Sequence, residues 1–159
     1  MIEPHVVLGP GSGDDPRLRA LFAGIVERGE GFPQMPPLDP DEYEAMWVTG
    51  VSEVVVATAG ETLVGAYYLK PNGPGLGRHI ANAGYVVDPA WRGQGVGRRL
   101  VEDSVVRAPT LGFDAIQFNF VFESNPARSL YERLGWRQVG RIPNALPGGE
   151  AALVYWRMV

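Results

Sequence analysis

The segment of this 159-residue chain richest in chemistry is Trp91-Arg92-Gly93-Gln94-Gly95-Val96-Gly97-Arg98-Arg99. Three glycines alternate within it, three arginines flank them, and no acid stands between Asp88 and Glu102. It follows the apolar run Ile80 to Val87 and leads into Val96, Leu100, Val101 and Val105, which recur at helical spacing. A strand that turns directly into a helix exposes the first helical N–H groups, which have no internal partner and carry partial positive charge. Glycines without a Cβ let an anion approach those donors closely. Residue type and spacing therefore agree on a phosphate ligand. The spacing is not the Gly-x-Gly-x-x-Gly of dinucleotide folds, and no Gly-Lys-Ser/Thr follows a glycine loop, so a P-loop is excluded.

Two asparagines also call for partners. Asn82 sits among Ile80, Ala81, Ala83 and Gly84, and Asn119 among Phe118, Phe120 and Val121. A buried amide left unpaired costs about 1–3 kcal/mol, so each must bond to neighbouring backbone or to a ligand. Tyr131 recurs with Ala127, Leu130 and Leu134 on one helical stripe, where its plainest meaning is a core aromatic.

The elements that must position these residues follow from patterning. His5 to Leu8 reads as a short strand ended by Gly9-Pro10-Gly11. Asp15-Pro16 offers an N-cap and a first-turn proline for a helix carrying Leu18, Leu21, Phe22, Ile25 and Val26. After the loop Gly31 to Pro40, Asp39-Pro40 caps a second helix with Tyr43, Met46 and Trp47. Glu53 to Ala57 and Thr62 to Lys70 form a hairpin around Ala59-Gly60-Glu61. A glycine-rich loop at 71–77 precedes the strand Ile80 to Val87. Pro109 stops the helix that opens near Gly95. In Ala115 to Phe122, alternation places Ile116, Phe118, Phe120 and Phe122 on one face and Gln117 and Asn119 on the other. Ser124-Asn125-Pro126 reads as an N-cap and first-turn proline, with Gly135 as the left-handed stop. Strands Arg137 to Ile142 and Ala151 to Met158 close the chain. The order β-α-α-β-β-β-α-β-α-β-β indicates one α/β domain over 1–159 with a mixed sheet, not a Rossmann alternation.

Composition narrows the chemistry further. Without cysteine there is no thiol nucleophile, disulfide or Cys-type zinc site, and His5 and His79 are too few for an all-histidine zinc site, so no metal is expected. The net charge of −4 speaks against a general nucleic-acid binder. Residues 1–61 hold eleven acids and three bases, whereas residues 62–159 hold seven acids and eleven bases. That polarity suits a cation-attracting surface beside an anion site. No apolar run approaches the ~20 residues of a membrane span, and Met1 to His5 lack a leader's basic and apolar regions, so a cytoplasmic location without membrane contact is expected.

Two motifs then give a resemblance. Arg92-x-x-Gly95-x-Gly97 after Val86-Val87-Asp88-Pro89, and Asn125-Pro126-Ala127-Arg128-Ser129-Leu130-Tyr131 through Trp136, together resemble the acetyl-CoA motif and following helix of the GCN5-related N-acetyltransferases (GNAT). The element order fits that family across nearly the whole chain. The resemblance implies a central sheet of about seven strands with flanking helices and a splay between strands 4 and 5. It implies acetyl-CoA as co-substrate, with main chain of Tyr85, Val86 and Val87 pairing with the pantetheine amides as an added strand would. The N–H groups across Arg92, Gly93, Gln94, Gly95, Val96, Gly97 and Arg98 would hold the pyrophosphate, and Tyr131 would serve as general acid beside the sulfur. The family asparagine usually stands seven residues before that tyrosine, where this chain has Ser124 with Asn125 next, so either could touch pantetheine.

The implied reaction is direct attack of an amine on the thioester. The amine must lose a proton, the oxyanion needs an N–H donor and the leaving thiolate needs a proton. Base candidates are Glu123 at the end of the phenylalanine strand, His79, or water relayed by polar side chains; the plainer reading of Glu123 is a solvated strand-end residue. Asn82, Asn119 and Asn125, with Phe118 to Glu123, are also similar to fungal N-acetyltransferases of proline analogues such as azetidine-2-carboxylate, which would make Asn82 and Asn119 substrate contacts. The acceptor is expected to be a small amine: an amino acid or cyclic analogue, a polyamine or an aminoglycoside. Non-catalytic acyl-CoA sensing, peptide or protein N-terminal acetylation, and a homodimer stay open at this level.

Overall fold

The computed structural model of the protein describes residues 5–159; the reading of Met1 to Pro4 lies outside them. Seven strands form one sheet: β1 (Val6–Gly11), β2 (Glu53–Ala59), β3 (Thr62–Pro71), β4 (Ile80–Val87), β5 (Ala115–Phe122), β6 (Arg137–Ile142) and β7 (Ala152–Met158). Their order is β1-β2-β3-β4-β5-β7-β6, and only the β4–β5 pair is parallel. The helices are α1 (Pro16–Glu27), α2 (Pro40–Trp47), α3 (Val96–Arg107) and α4 (Arg128–Arg133).

Local chemistry sets these elements. Asp15 accepts from the Arg17 N–H at 2.9 Å and Pro16 opens α1; Asp39 accepts from the Asp41 N–H at 2.7 Å and Pro40 opens α2. Leu18, Phe22, Ile25 and Val26 of α1, with Tyr43 and Trp47 of α2, pack on one sheet face against Val54, Val56, Ala66, Tyr68 and Val86. On the opposite face Val96, Leu100 and Val101 of α3 pack against Val55, Val64, Tyr67 and Leu69. Each fully buried Leu or Phe among these contributes about 1.5–3 kcal/mol.

Three local expectations need correction. Gly9-Pro10-Gly11 does not end β1 but continues it, with Gly9, Pro10 and Gly11 opposite Val56, Val55 and Val54. β1 is an edge strand, where a proline's missing N–H costs no ladder bond. In β5 the alternation fails after Phe118, because the register with β7 shifts between Phe118 and Val121. That bulge turns Val121 into the core and leaves Phe120 and Phe122 only half-buried. Finally, α4 begins at Arg128 with Ala127 as its uncapped N-terminus, so Asn125-Pro126 forms a turn ahead of it.

The splay between strands 4 and 5 is present. β4 and β5 pair only from Ile80 to Asn82 against Ala115 to Gln117, and beyond that point they part.

Candidate active site

At the end of β4, Asp88 caps a short 3-10 turn by accepting from the Ala90 N–H at 2.9 Å. Gly93 and Gly95 then take φ of 75° and 83°, left-handed values that side chains with a Cβ avoid. Gly95 is the N-cap of α3 and no side chain caps that end. The first N–H turned back into the helix is that of Arg99, bonded to the Gly95 carbonyl at 3.1 Å, so those of Val96, Gly97 and Arg98 are left for an anion. Gln94 folds back to the Ala90 carbonyl at 3.3 Å.

The three arginines have distinct partners. Arg92 pairs with Glu30, which also accepts from Arg28 at 2.8 Å. Arg98 pairs with Glu102 at 2.9 Å, and Arg99 donates to the Val6 carbonyl at 2.8 Å. Burial pushes the Glu30 carboxyl up, but the Arg92 and Arg28 guanidinium groups outweigh it and hold the carboxyl below its ordinary range.

From this turn a cavity of about 630 Å³ runs through the gap between β4 and β5 to the α1 side of the sheet. Arg92 and Gly97 line one part of it, and Gly29, Glu30, Gly31, Phe32 and Pro33 after α1 line another. Gly93, Gln94, Gly95, Val96 and Arg98 do not line it and belong to the turn at its edge.

The period of β4 decides which main-chain groups face the gap. The Ile80 carbonyl bonds to Asn72 and the Asp88 N–H to Val64, both on the β3 side. A Cβ placed on Gly65 of β3 would lie 2.9 Å from the Val86 carbonyl oxygen. Alternation therefore turns Asn82, Gly84 and Val86 main chain toward β3, and that of Ala83, Tyr85 and Val87 into the gap. The main-chain groups of Tyr85 and Val87 face the gap, unpaired by β3. Those of Val86 serve the ladder to β3, although the residue lines the cavity.

Tyr131 stands on α4 over this gap, its ring 4.7 Å from Phe118, 6.4 Å from Tyr85 and 6.2 Å from both Trp136 and Tyr155. It lines the cavity, and burial alone pushes its phenol up to about 12. Tyr85 is committed elsewhere at its hydroxyl, which lies 2.7 Å from the buried Ser104 hydroxyl. The core reading of Tyr131 and its cleft position coexist: the ring packs, and the residue faces the cavity.

The remaining candidates divide. Asn82 lines the cavity, but both ends of its amide are bonded: Oδ1 accepts from the Tyr68 hydroxyl at 3.0 Å and Nδ2 donates to the Gln117 carbonyl at 3.1 Å. Asn119 also lines the cavity, exposed at the β5 bulge, where it accepts from Gln117 at 3.0 Å and donates to Asn72 at 2.6 Å. Ser124 and Asn125 both line the cavity; the Ser124 N–H donates to Glu150, while Asn125 Oδ1 accepts from the Ala127 N–H at 2.9 Å. Glu123 is not brought to the cavity, and its carboxylate accepts from Arg141 at 3.0 Å. His79 lines a separate small pocket beside Arg78 and Phe113. Glu30 and Tyr68 were not singled out by the sequence; the only trace of Glu30 is its position between Gly29 and Gly31, both of positive φ.

Comparison with known proteins agrees with this geometry. The chain is 42% identical over 85 residues to N-acetyltransferase aca1 of Schizosaccharomyces pombe, a match spanning 53% of this chain and 41% of that protein. The chain thus spans less than half the length of that curated relative. It is 34% identical to a GCN5-related N-acetyltransferase from Kribbella flavida, covering 97% of this chain and 98% of that one with a TM-score of 0.85. The yncA structure of Salmonella typhimurium, determined with its cofactor acetyl-CoA, shares the fold at 18% identity and a TM-score of 0.82, over 97% of this chain and 94% of that one. The model of the acetyltransferase (GNAT) family matches residues 25–136, which contain the whole of the forked sheet edge and its glycine turn, and the chain belongs to that family.

Proposed function

We propose that the protein transfers the acetyl group of acetyl-CoA to the amine of a small molecule, by direct attack within a ternary complex. One observation carries this reading: a single cavity threads the β4–β5 gap and is lined by Gly97 of the bare α3 N-terminus, the unpaired edge of β4 and Tyr131. An extended ligand with an anionic end and peptide-like amides fits that sequence of surfaces. The N–H groups of Val96, Gly97 and Arg98 receive the pyrophosphate, and Ala83, Tyr85 and Val87 pair with pantetheine in the manner of an added strand. Asn125 is the better pantetheine partner of the two candidates, because its Oδ1 is fixed by Ala127 while its Nδ2 is free to donate.

A main-chain N–H in the gap stabilises the oxyanion, and the Tyr131 hydroxyl serves the departing thiolate. Glu123 is already engaged by Arg141, which leaves water held by polar side chains as the route for the amine proton.

The acceptor is a zwitterionic amino acid or cyclic analogue. Among the described residues Glu30 is the one acid lining the cavity, and it is neutralised by two arginines, so this lining does not reward a polycation. Half-buried Phe32, Phe120 and Phe122 instead offer a wall for a compact apolar ring. The test is a panel of azetidine-2-carboxylate, proline, spermidine and kanamycin with detection of released thiol, to which a cysteine-free enzyme adds no background. Proline-like acceptors should give the highest kcat/KM. Slow thioester hydrolysis alone, unaffected by any amine, would overturn the proposal.

A further inference from the structure

Tyr68 carries no expected role, yet it stands where the cavity reaches the fork. Its ring is almost fully buried, held edge-on by Trp47 at 5.0 Å with the Lys70 ammonium 5.2 Å from its centroid. The phenol end lies over Gly84, where a Cβ would come within 2.7 Å of the ring and 3.0 Å of the hydroxyl oxygen. Tyr68, Asn82 and Gly84 all line the cavity.

The hydrogen-bond directions here are fixed by elimination. The Gln117 main-chain oxygen can only accept, so the end of the Asn82 amide facing it, at 3.1 Å, must be the NH2. The other end, facing Tyr68 at 3.0 Å, is then the amide oxygen, and the Tyr68 hydroxyl must donate to it. Burial also keeps this phenol above its ordinary range, so the proton stays on it at neutral pH. What the Tyr68 oxygen has left is lone-pair capacity only.

We propose that Tyr68 receives the acceptor: its oxygen takes a hydrogen bond from the substrate N–H, with Asn82 as the positioning residue that turns the phenolic proton away. This deepens the acetyl-transfer reading and rests on it. An amine held by one N–H keeps its nitrogen lone pair available for the thioester once its extra proton has gone. A ring oxygen in the same place would meet a second acceptor, and the site rejects it.

The experiment uses pairs that differ at one ring atom, a protonated amine at neutral pH against an ether oxygen: proline with tetrahydrofuran-2-carboxylate, and piperidine with tetrahydropyran. The charge of the amine is common to every variant, so the readout is the change in ratio from wild type. Binding is measured by calorimetry to the full chain saturated with desulfo-CoA, which cannot transfer an acetyl group. The wild type should prefer the amine member of a pair by about tenfold or more, and Tyr68→Phe should lower that ratio by about tenfold. Asn82→Leu releases the phenolic proton for donation, so the ratio should move about tenfold toward the oxygen member. Retention of the acetyl-CoA-induced rise in Tm reports that each variant is folded, and if Asn82→Leu fails to fold, Tyr68→Phe alone decides. An unchanged ratio in Tyr68→Phe overturns the assignment, as does failure of every probe to bind the wild type. Binding with the expected ratios but no acetylation with acetyl-CoA would overturn the transfer reading alone.

Discussion

Replacing Tyr131 by Phe removes one hydroxyl and keeps the ring that packs at 4.7 Å on Phe118 and 6.2 Å from Trp136 and Tyr155. Fold and acetyl-CoA binding should survive, so any loss belongs to the chemical step. Burial raises the phenol from its ordinary 10 to about 12. The acid is the protonated form, so a raised pKa extends its working range upward: at pH 10 about 99% of Tyr131 is protonated, against about half for an ordinary phenol. The same shift makes it a weaker acid. A thiol of ordinary pKa near 8.5 lies about 3.5 units below it, an uphill transfer of roughly 5 kcal/mol. Full proton transfer is favourable only as far as the thiolate, formed in the same desolvated pocket, also gains affinity for the proton. Tyr131 should therefore act at the low end of general-acid contributions, and Tyr131→Phe should lower kcat by about 10²-fold. Single-turnover thiol release from pH 7 to 10, with proline as acceptor, measures both points. The wild-type rate should show no alkaline fall over that range. A variant within twofold of wild type, or a wild-type alkaline limb near pH 10 that vanishes with the hydroxyl, would refute the reasoning.

Other perturbations test the turn and the fork. Gly95→Asp puts a carboxylate at the bare α3 N-terminus and should abolish the rise in Tm with acetyl-CoA; Gly95→Ala at the same φ of 83° should cost only about 1–2 kcal/mol of stability and keep binding measurable. Equal acetyl-CoA affinity in Gly95→Asp and wild type would contradict the phosphate assignment. Glu30→Gln frees Arg92 from its carboxylate partner and should tighten acetyl-CoA several-fold, read by calorimetry; weaker binding would show that Glu30 holds the turn in shape rather than competing for it. Gly84→Ala drives a methyl to 2.7 Å from the Tyr68 ring and should destabilise the protein by about 1–3 kcal/mol in urea unfolding, an effect absent in the Tyr68→Ala background.

Much of the fold was legible because its signals are local. Asp15-Pro16 and Asp39-Pro40 start their helices as read, Gly135 ends α4 at φ 98°, and the order of strands and helices is the expected one. The errors lie where a partner strand decides. Whether Val86 or its neighbours face the gap depends on the β3 register, which no residue of β4 encodes by itself. The exposure of Asn119 comes from a bulge against β7, while its sequence neighbours Phe118, Phe120 and Val121 suggest burial. Tyr68 was hidden for a different reason. It lies in the run Leu63 to Leu69, where every residue is buried and alternation carries no information.

The polarity of charge along the chain acquires a meaning once the loop after α1 is placed. An acidic first part and a basic second part meet at the cavity through one contact, Glu30 with Arg92. A phosphate arriving at the α3 N-terminus competes with Glu30 for that guanidinium, and Arg28 remains to keep the carboxylate paired at 2.8 Å. The exchange leaves no uncompensated charge, because each anion retains a cation throughout. Gly29 and Gly31, at φ of 65° and 76°, flank Glu30, the carboxylate shared by Arg28 and Arg92. The same loop carries Phe32 into the cavity, so the ion pair at the phosphate turn and the apolar wall proposed for the acceptor are joined through two residues of chain.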